Sequence, residues 1–338
     1  SDFSKSSRII WLVVGVFTVL GTIVAFCIGL YLGLPPADAL VDAFCLAANA
    51  ANTGGFVPHT SSLVYYHCVG IDGLVLVLVM LGAVNLGIFA LAMKGKFREI
   101  LRNSEFRTLV LWMAVFSVCI AIGLAHDAIY GTLSGLIDRG LFMGLAAITT
   151  SGMQTIYPEQ LSTCFSDGLL ILLMLATFLG ASACSTGGGV KILRVMEVLR
   201  WFGYTIYRAI LPRKAHLPIR YRYFGTRNMT PDDAMHAMTI MILYLGVCAL
   251  GAMAFIAHGN DALASVFESI SYICNSGITV GIMGPQAPFD LKLVAIGQMW
   301  AGRLEFVALI AALAGIIVSV RPLHPNAGGG RASEHVRT

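Results

Sequence analysis

Phe142 to Gly152 reads FMGLAAITTSG. The stretch opens apolar and closes on small polar residues and one glycine. It is too short to cross a bilayer, which takes about 20 apolar residues, yet apolar spans stand on both sides of it. Two other stretches share its layout: Cys45 to Gly55, CLAANAANTGG, and Phe267 to Gly277, FESISYICNSG. All three are eleven residues long. They end in Asn52-Thr53-Gly54-Gly55, Thr149-Thr150-Ser151-Gly152 and Cys274-Asn275-Ser276-Gly277. An internal repeat with a period of about 100 residues therefore organises the chain. Each copy reads as a short re-entrant helix followed by a backbone turn that aims carbonyl oxygens at one axis. Small residues alone would speak only for close helix packing. Packing does not require the polar ending and its glycine to recur at one distance from each helix start.

Composition sets the class. Of 338 residues 57% are hydrophobic and 12% charged, where a soluble domain has about a quarter charged. Mean hydropathy is +0.80. This is the composition of an integral membrane protein in contact with the lipid bilayer, and its long apolar spans lead us to expect an all-α fold. The net charge of +4 and pI of 8.6 do not indicate nucleic-acid binding, because the cations lie in particular loops. The eight cysteines form no framework. Cys27, Cys119, Cys184 and Cys248 lie in apolar spans, where thiols behave as small hydrophobes. Cys68 and Cys164 lie near span ends, and spacing gives no warrant for pairing them. No signal-peptide pattern is present, and a start at Ser1 rather than Met leads us to expect a processed or truncated beginning.

The spans follow in order. Ile9 to Leu32 is ended by Leu34-Pro35-Pro36. Val69 to Met93 is stopped by Lys94, Lys96, Arg98 and Arg102. Leu109 to Ala125 is the third. Gly168 to Gly180 begins a fourth, interrupted by Ala181-Ser182-Ala183-Cys184-Ser185-Thr186-Gly187-Gly188-Gly189 and resumed from Val190, turning amphipathic and basic towards Arg208. A polar linker from Leu211 to Asp233 carries Arg213, Lys214, Arg220, Arg222 and Arg227. Ala234 to Ala257 and Val294 to Val320 complete the set. The pattern divides into units 1–104, 105–230 and 231–321, with a tail, 322–338, expected to be disordered. Lysine and arginine crowd the loop after the second span, the linker and both termini. By the positive-inside rule these face the cytoplasm, and the loops carrying the short segments face outward. The outer loops are acidic, through Asp38, Asp42, Asp72, Asp127, Asp138, Glu159, Asp167, Asp261, Glu268 and Asp290. An acidic mouth of this kind concentrates cations.

Turns inside a membrane must be buried in protein or line water, and a ring of them offers carbonyls that replace a cation's hydration shell. Glycine accepts the required backbone angles without a clash. Each short helix points its negative dipole end at the turn. Asn52, Thr150 and Asn275 are placed to hydrogen-bond behind the turns. Gly55, Gly152 and Gly277 are the equivalent glycines by spacing from the helix start, with Gly54 a rival to Gly55. No catalytic triad and no metal-spaced cluster is visible, and His59 and His67 read as surface residues. The Gly-rich stretch lacks the spacing and strand context of a phosphate loop. A span broken by small residues at membrane depth reads instead as a hinge or gate. Arg303 stands near the middle of the last apolar stretch, where a charge is a functional hypothesis. Glu305, two residues away, does not share its helix face.

Taken together, the three helix–short helix–helix units, Ser185 to Lys191 (STGGGVK), Gly302 to Glu305 (GRLE), Asn85 in LGAVNLG, and Glu105-Phe106-Arg107 after a basic loop resemble the TrkH/KtrB/HKT superfamily of potassium transporters. The resemblance runs from about Arg8 to Val320. It implies four such units around one pore, of which this chain holds counterparts of the second, third and fourth. A truncated chain or incomplete gene is the expected account of the missing first. The resemblance further implies a selectivity filter at Asn52, Thr53, Gly54, Gly55, Thr149, Thr150, Ser151, Gly152, Cys274, Asn275, Ser276 and Gly277, binding K+. A gate loop beneath it is implied at Ala183, Cys184, Ser185, Thr186, Gly187, Gly188 and Gly189, with Lys191 on the cytoplasmic side and Arg303 beside the pore. The implied activity is potassium uptake across the bacterial inner membrane, with no cofactor. A homodimer and a nucleotide-binding regulatory subunit of the TrkA/KtrA type are the implied partners. A sodium-preferring transporter of the same superfamily and a membrane-embedded enzyme are the alternatives. The residue that separates sodium from potassium preference lies in the unit the chain does not contain.

Overall fold

The computed structural model describes residues 2–59, 61–127, 132–210, 219–284, 286–304, 306 and 314–315. The tail from Pro322, the linker cations Arg213 and Lys214, and Glu305 lie outside the described residues. Helices dominate: α1 (Asp2–Tyr31), α2 (Pro36–Ala51), α3 (Val69–Ala83), α4 (Leu86–Met93), α5 (Phe97–Arg102), α6 (Ser104–His126), α7 (Leu133–Thr149), α8 (Pro158–Thr163), α9 (Asp167–Leu179), α10 (Ile192–Ile210), α11 (Pro231–Ala257), α12 (Ala262–Ile273) and α13 (Phe289–Arg303). In the linker, β1 (Arg220–Arg222) and β2 (Thr226–Asn228) pair antiparallel as a hairpin. The sequence reading had left this linker without regular structure.

Local chemistry starts these helices where they start. Pro36 occupies the first turn of α2 and Pro231 that of α11. There its missing N–H costs nothing and its φ is already helical. Thr230 and Asp233 form a capping box on α11, Asp261 accepts from Leu263 and Ala264 at the head of α12, and Asn103 caps α6. Residues Ser7–Tyr31, α6 and α11 are long and apolar enough to cross a membrane, and at most 33% of each apolar window is buried by protein. The rest of each window therefore needs lipid or another chain, since an apolar face left in water is costly.

Each long helix packs on the short helix that follows it: α1 on α2, α6 on α7, α11 on α12. The next helix closes the trio: α3 on α2, α9 on α7, α13 on α12. Trios then interlock, α3 against α7 and α9 against α12. The largest core fills the join, with Leu109, Met143, Ile148, Leu173 and Phe267 all buried. The arrangement brings the C-terminal ends of α2, α7 and α12 to one place.

The second span corrects the sequence reading. Val69 to Met93 is not one straight helix: α3 and α4 meet at 92°. Val84 and Asn85 are extended, and the Asn85 side chain accepts from Gly87 N to start α4. A break of this kind frees backbone groups that must find partners. They do: Ser182 N donates to Ala83 O at 3.2 Å, and Leu86 N donates to Cys184 O at 3.1 Å.

Candidate functional site: three glycine turns and the loop beneath them

The ends of α2, α7 and α12 carry one backbone motif three times. Thr53, Thr150 and Asn275 are left-handed, with φ of 48°, 52° and 52°. Each N–H bonds three residues back, to Ala50, Ala147 and Tyr272. The next residue bonds five back: Gly54 to Asn49, Ser151 to Ala146, Ser276 to Ser271. This is the Schellman pattern, which ordinarily has glycine at the left-handed position. A β-branched threonine there is an outlier held by its surroundings. One residue further on stand Gly55, Gly152 and Gly277, with φ of 77°, 73° and 82°. Gly54 is not left-handed, so the register by glycine is Gly55, Gly152 and Gly277.

These three glycines meet. A methyl at Gly55 would lie 2.9 Å from Ser151 O and 3.4 Å from the Cα of Gly152. One at Gly152 would overlap Ser276 O, and one at Gly277 would touch the Cα of Gly152 at 3.8 Å. Two physical demands thus coincide on the same residues, a positive φ and no room for a side chain.

The break in the fourth span, Gly180 to Lys191, lies directly against the three helix ends. Gly188 N donates to Thr150 Oγ1 at 2.5 Å, and that hydroxyl donates to Thr149 O at 2.7 Å. Gly189 N donates to Cys274 O at 3.1 Å. The Thr186 hydroxyl donates to Gly82 O at 2.9 Å, with Ala51 O at 3.3 Å and Thr53 Oγ1 at 3.3 Å. One loop is therefore bonded to all three turns. Two cations hold carbonyls of this loop: Arg303 Nη1 donates to Thr186 O at 2.9 Å, and Lys191 Nζ donates to Gly187 O.

The loop has two halves. Thr186 to Gly189 faces the turns. Ser182 to Cys184 is stitched to the Val84–Asn85 break, and Ala183 N donates to Glu105 Oε1 at 2.5 Å. Glu105 is fully buried, and its other oxygen accepts from Asn85 Nδ2 at 3.2 Å. The Asn85 amide also lies 3.2 Å from the hydroxyl of Tyr223 in the hairpin. The sequence reading saw Asn85 and Glu105 as family markers and gave them no role. A lone polar residue in an apolar run was the available signal.

Several expectations change. Asn52 does not brace its turn; it is exposed and donates to Ala48 O of its own helix. Its counterpart in register is Thr53. Thr150 and Asn275 do brace theirs, Asn275 through Met299 O at 3.1 Å. Lys191 is buried against the loop, its ammonium group on the Gly187 carbonyl. Arg303 is exposed and ends α13, so it does not stand mid-helix. Of the expected outer-mouth acids, Asp42, Asp72 and Glu268 are buried. Asp42 takes His59 Nε2 and the Tyr66 hydroxyl, each at 2.9 Å, so His59 is a bracing residue and not merely a surface one. Glu268 takes Thr279 Oγ1 at 2.5 Å and Val280 N at 3.1 Å, which fixes the chain leaving the Gly277 turn. Among the described residues no group of three or more His, Cys, Asp or Glu side chains could hold a metal.

Comparison with known proteins is consistent along nearly the whole chain. A family model described as TrkH, cation transport protein, matches residues 2–318. An uncharacterized cation transporter of Methanocaldococcus jannaschii is 28% identical over 93% of this chain and 60% of its own length. The Trk system potassium uptake protein TrkH of Vibrio parahaemolyticus is 26% identical over 92% of this chain and 62% of its own. The crystal structure of the potassium transporter TrkH from Vibrio parahaemolyticus superposes with a TM-score of 0.78 at 24% identity, covering 92% of this chain and 64% of that one. That likeness establishes the fold. The chain spans about three fifths of the length of the relatives it matches.

Proposed function

The chain belongs to the TrkH family of cation transport proteins, and from that premise we propose that it carries potassium through a narrow passage. Gly55, Gly152 and Gly277 line that passage, and Thr186 to Gly189 close it from beneath. The observation that carries this reading is the threefold recurrence of one left-handed turn, with its glycines in mutual contact and one loop bonded to all three helix ends. Helix C-termini carry about half a negative charge, and three of them converging favour a cation over an anion. In this reading the residues preceding each glycine supply carbonyl oxygens in place of water. The residues that hold the loop position it and do not touch the ion. The relatives are transporters, which points away from catalysis.

The test is rubidium and sodium uptake by cells lacking their own potassium uptake, with the chain expressed both alone and with a further unit joined ahead of Ser1. Rubidium uptake that Gly152→Ala abolishes would support the reading. Sodium uptake in its place would make the chain a sodium-preferring member, and no uptake in either form would remove the proposal. We further propose that the inner face, with Arg208, Arg220 and Arg227 exposed, meets a nucleotide-binding regulatory subunit of the TrkA/KtrA type, and that the chain pairs with a second copy. Pull-down at low salt tests the first, and the mass of the detergent-solubilised protein tests the second.

A further inference from the structure

A cavity of about 420 Å³ lies apart from the turns and the loop, on the inner side. One wall is α5 with its flanks: Lys96, Glu99, Arg102 and Asn103. The other is the hairpin, including Arg222 and Thr226. The hairpin is fastened there by Arg222 N on Ser104 Oγ at 3.4 Å. Its size falls within the range of ligand sites, about 300–1,000 Å³.

The charge is one-sided. Lys96 takes up Glu99 at 3.1 Å. Among the described residues no carboxylate pairs with Arg102 or Arg222. Asn103 adds a second, independent sign. Its Oδ1 accepts from Glu105 N and Phe106 N at 2.9 and 3.3 Å, capping α6. Its Nδ2 is buried and has no partner, a donor awaiting an acceptor. The positive end of α6 lies at the same place. Two arginines, an unpaired amide donor and a helix N-terminus together ask for an oxyanion.

The surroundings say where the anion comes from. Because α4 leaves α3 at 92°, α4 runs across the span direction instead of along it, and α5 follows it after a short turn. Beside the cations, Met93, Phe97 and Leu101 are 62%, 63% and 66% exposed. Apolar side chains next to arginines, at the inner end of a crossing helix, suit the boundary between acyl chains and headgroups.

We propose that this cavity binds a phosphate-bearing anion, with an anionic lipid headgroup of the inner leaflet as its source. Arg102 and Arg222 grip the phosphate, Asn103 Nδ2 donates to one of its oxygens, and Phe97 and Leu101 lie along the acyl chains.

The test is native mass spectrometry of the full chain in detergent, titrated with phosphatidylglycerol or phosphatidylcholine, with inorganic phosphate as competitor. Preferential phosphatidylglycerol adducts are expected. The double variant Arg102→Gln/Arg222→Gln should bind roughly thirtyfold more weakly, the worth of two interfacial cations. Arg98→Gln, on the same helix but outside the cavity, should bind as the parent does. Equal unfolding temperatures of both variants in phosphatidylcholine would exclude a folding defect. Displacement of the lipid by millimolar phosphate would keep the site and assign it to a soluble anion. Resistance to phosphate would assign it to the lipid. Equal loss in Arg98→Gln, or no preference between the two lipids, would overturn the site.

Discussion

Gly188→Ala tests the contact between the loop and the turns most directly. A methyl at Gly188 would overlap Cys274 O and lie 2.9 Å from the carbonyl carbon of Cys274. Neither atom can yield, because Cys274 is fully buried at the end of α12. The loop has to move instead. Moving it breaks Gly188 N to Thr150 Oγ1 and Gly189 N to Cys274 O. Overpacking costs about 1–3 kcal/mol and each hydrogen bond about 1 kcal/mol. The docked loop should therefore lose roughly 3–5 kcal/mol, a shift of roughly 100- to 4,000-fold towards the undocked form at about 1.4 kcal/mol per tenfold. Hydrogen–deuterium exchange of the peptide covering Gly180 to Lys191 should accelerate, and rubidium flux per folded protein should rise. Gly203→Ala is the control, since a methyl there meets nothing within 4 Å. Unchanged exchange in Gly188→Ala, at an unfolding temperature matching the control, would refute the docking argument. Faster exchange with unchanged or lower flux would refute the gate alone.

Three further outcomes are expected. Gly152→Ala combines a φ of 73° with a methyl overlapping Ser276 O; it should lower the unfolding temperature and abolish rubidium uptake, where Gly73→Ala, with open space around it, should do neither. Glu105→Ala leaves Ala183 N without its buried acceptor, at a cost of about 1–3 kcal/mol, while Glu105→Gln keeps an acceptor and should recover much of that in thermal unfolding. His258 is pushed above the usual histidine range by the Ala254 carbonyl at 2.9 Å and by Asp290 at 2.7 Å. A raised pKa means the folded state holds the proton more tightly, so the tether between the C-terminal end of α11 and the first turn of α13 is complete below the ordinary histidine value and lost as pH rises through the raised one. Histidine-resolved NMR should place that titration above an exposed histidine's, and His258→Ala should remove it.

The turns were legible because their requirement is local. A small polar ending with a glycine at one fixed distance from an apolar start can be read within each copy, and its recurrence in three copies marks Gly55, Gly152 and Gly277. The break at Val84 and Asn85 was hidden for the opposite reason. Its backbone partners are Ser182 and Cys184, about a hundred positions away in sequence, and an apolar run looks the same whether or not such partners exist. The buried acids follow the same logic. Glu268 reads as a loop charge until Thr279 and Val280 are folded back onto it, and Asp42 until His59 and Tyr66 are. Lys191 was placed by resemblance, just after the loop, and nothing in its neighbours along the chain signals that its ammonium group folds back to the Gly187 carbonyl. The hairpin escaped notice because its strands are only three residues each, too short for alternation to register.

The lengths of the helices have an electrical consequence. At about 1.5 Å per residue, α3 with 15 residues and α9 with 13 cover roughly 20–22 Å, well short of a hydrocarbon core of about 30 Å. The helices outside them, with 23 and 27 residues in α6 and α11, cover roughly 35–40 Å. Set in a bilayer, α3 and α9 would stop short of a depth that α6 and α11 can cross. Were water to enter over the short helices, the membrane potential would fall across the length they span rather than across the whole slab. A unit charge crossing the full drop feels about 2.3 kcal/mol per 100 mV. The groups such a field would act on are the two cations that hold the loop, Lys191 and Arg303, and any ion passing between the glycine turns.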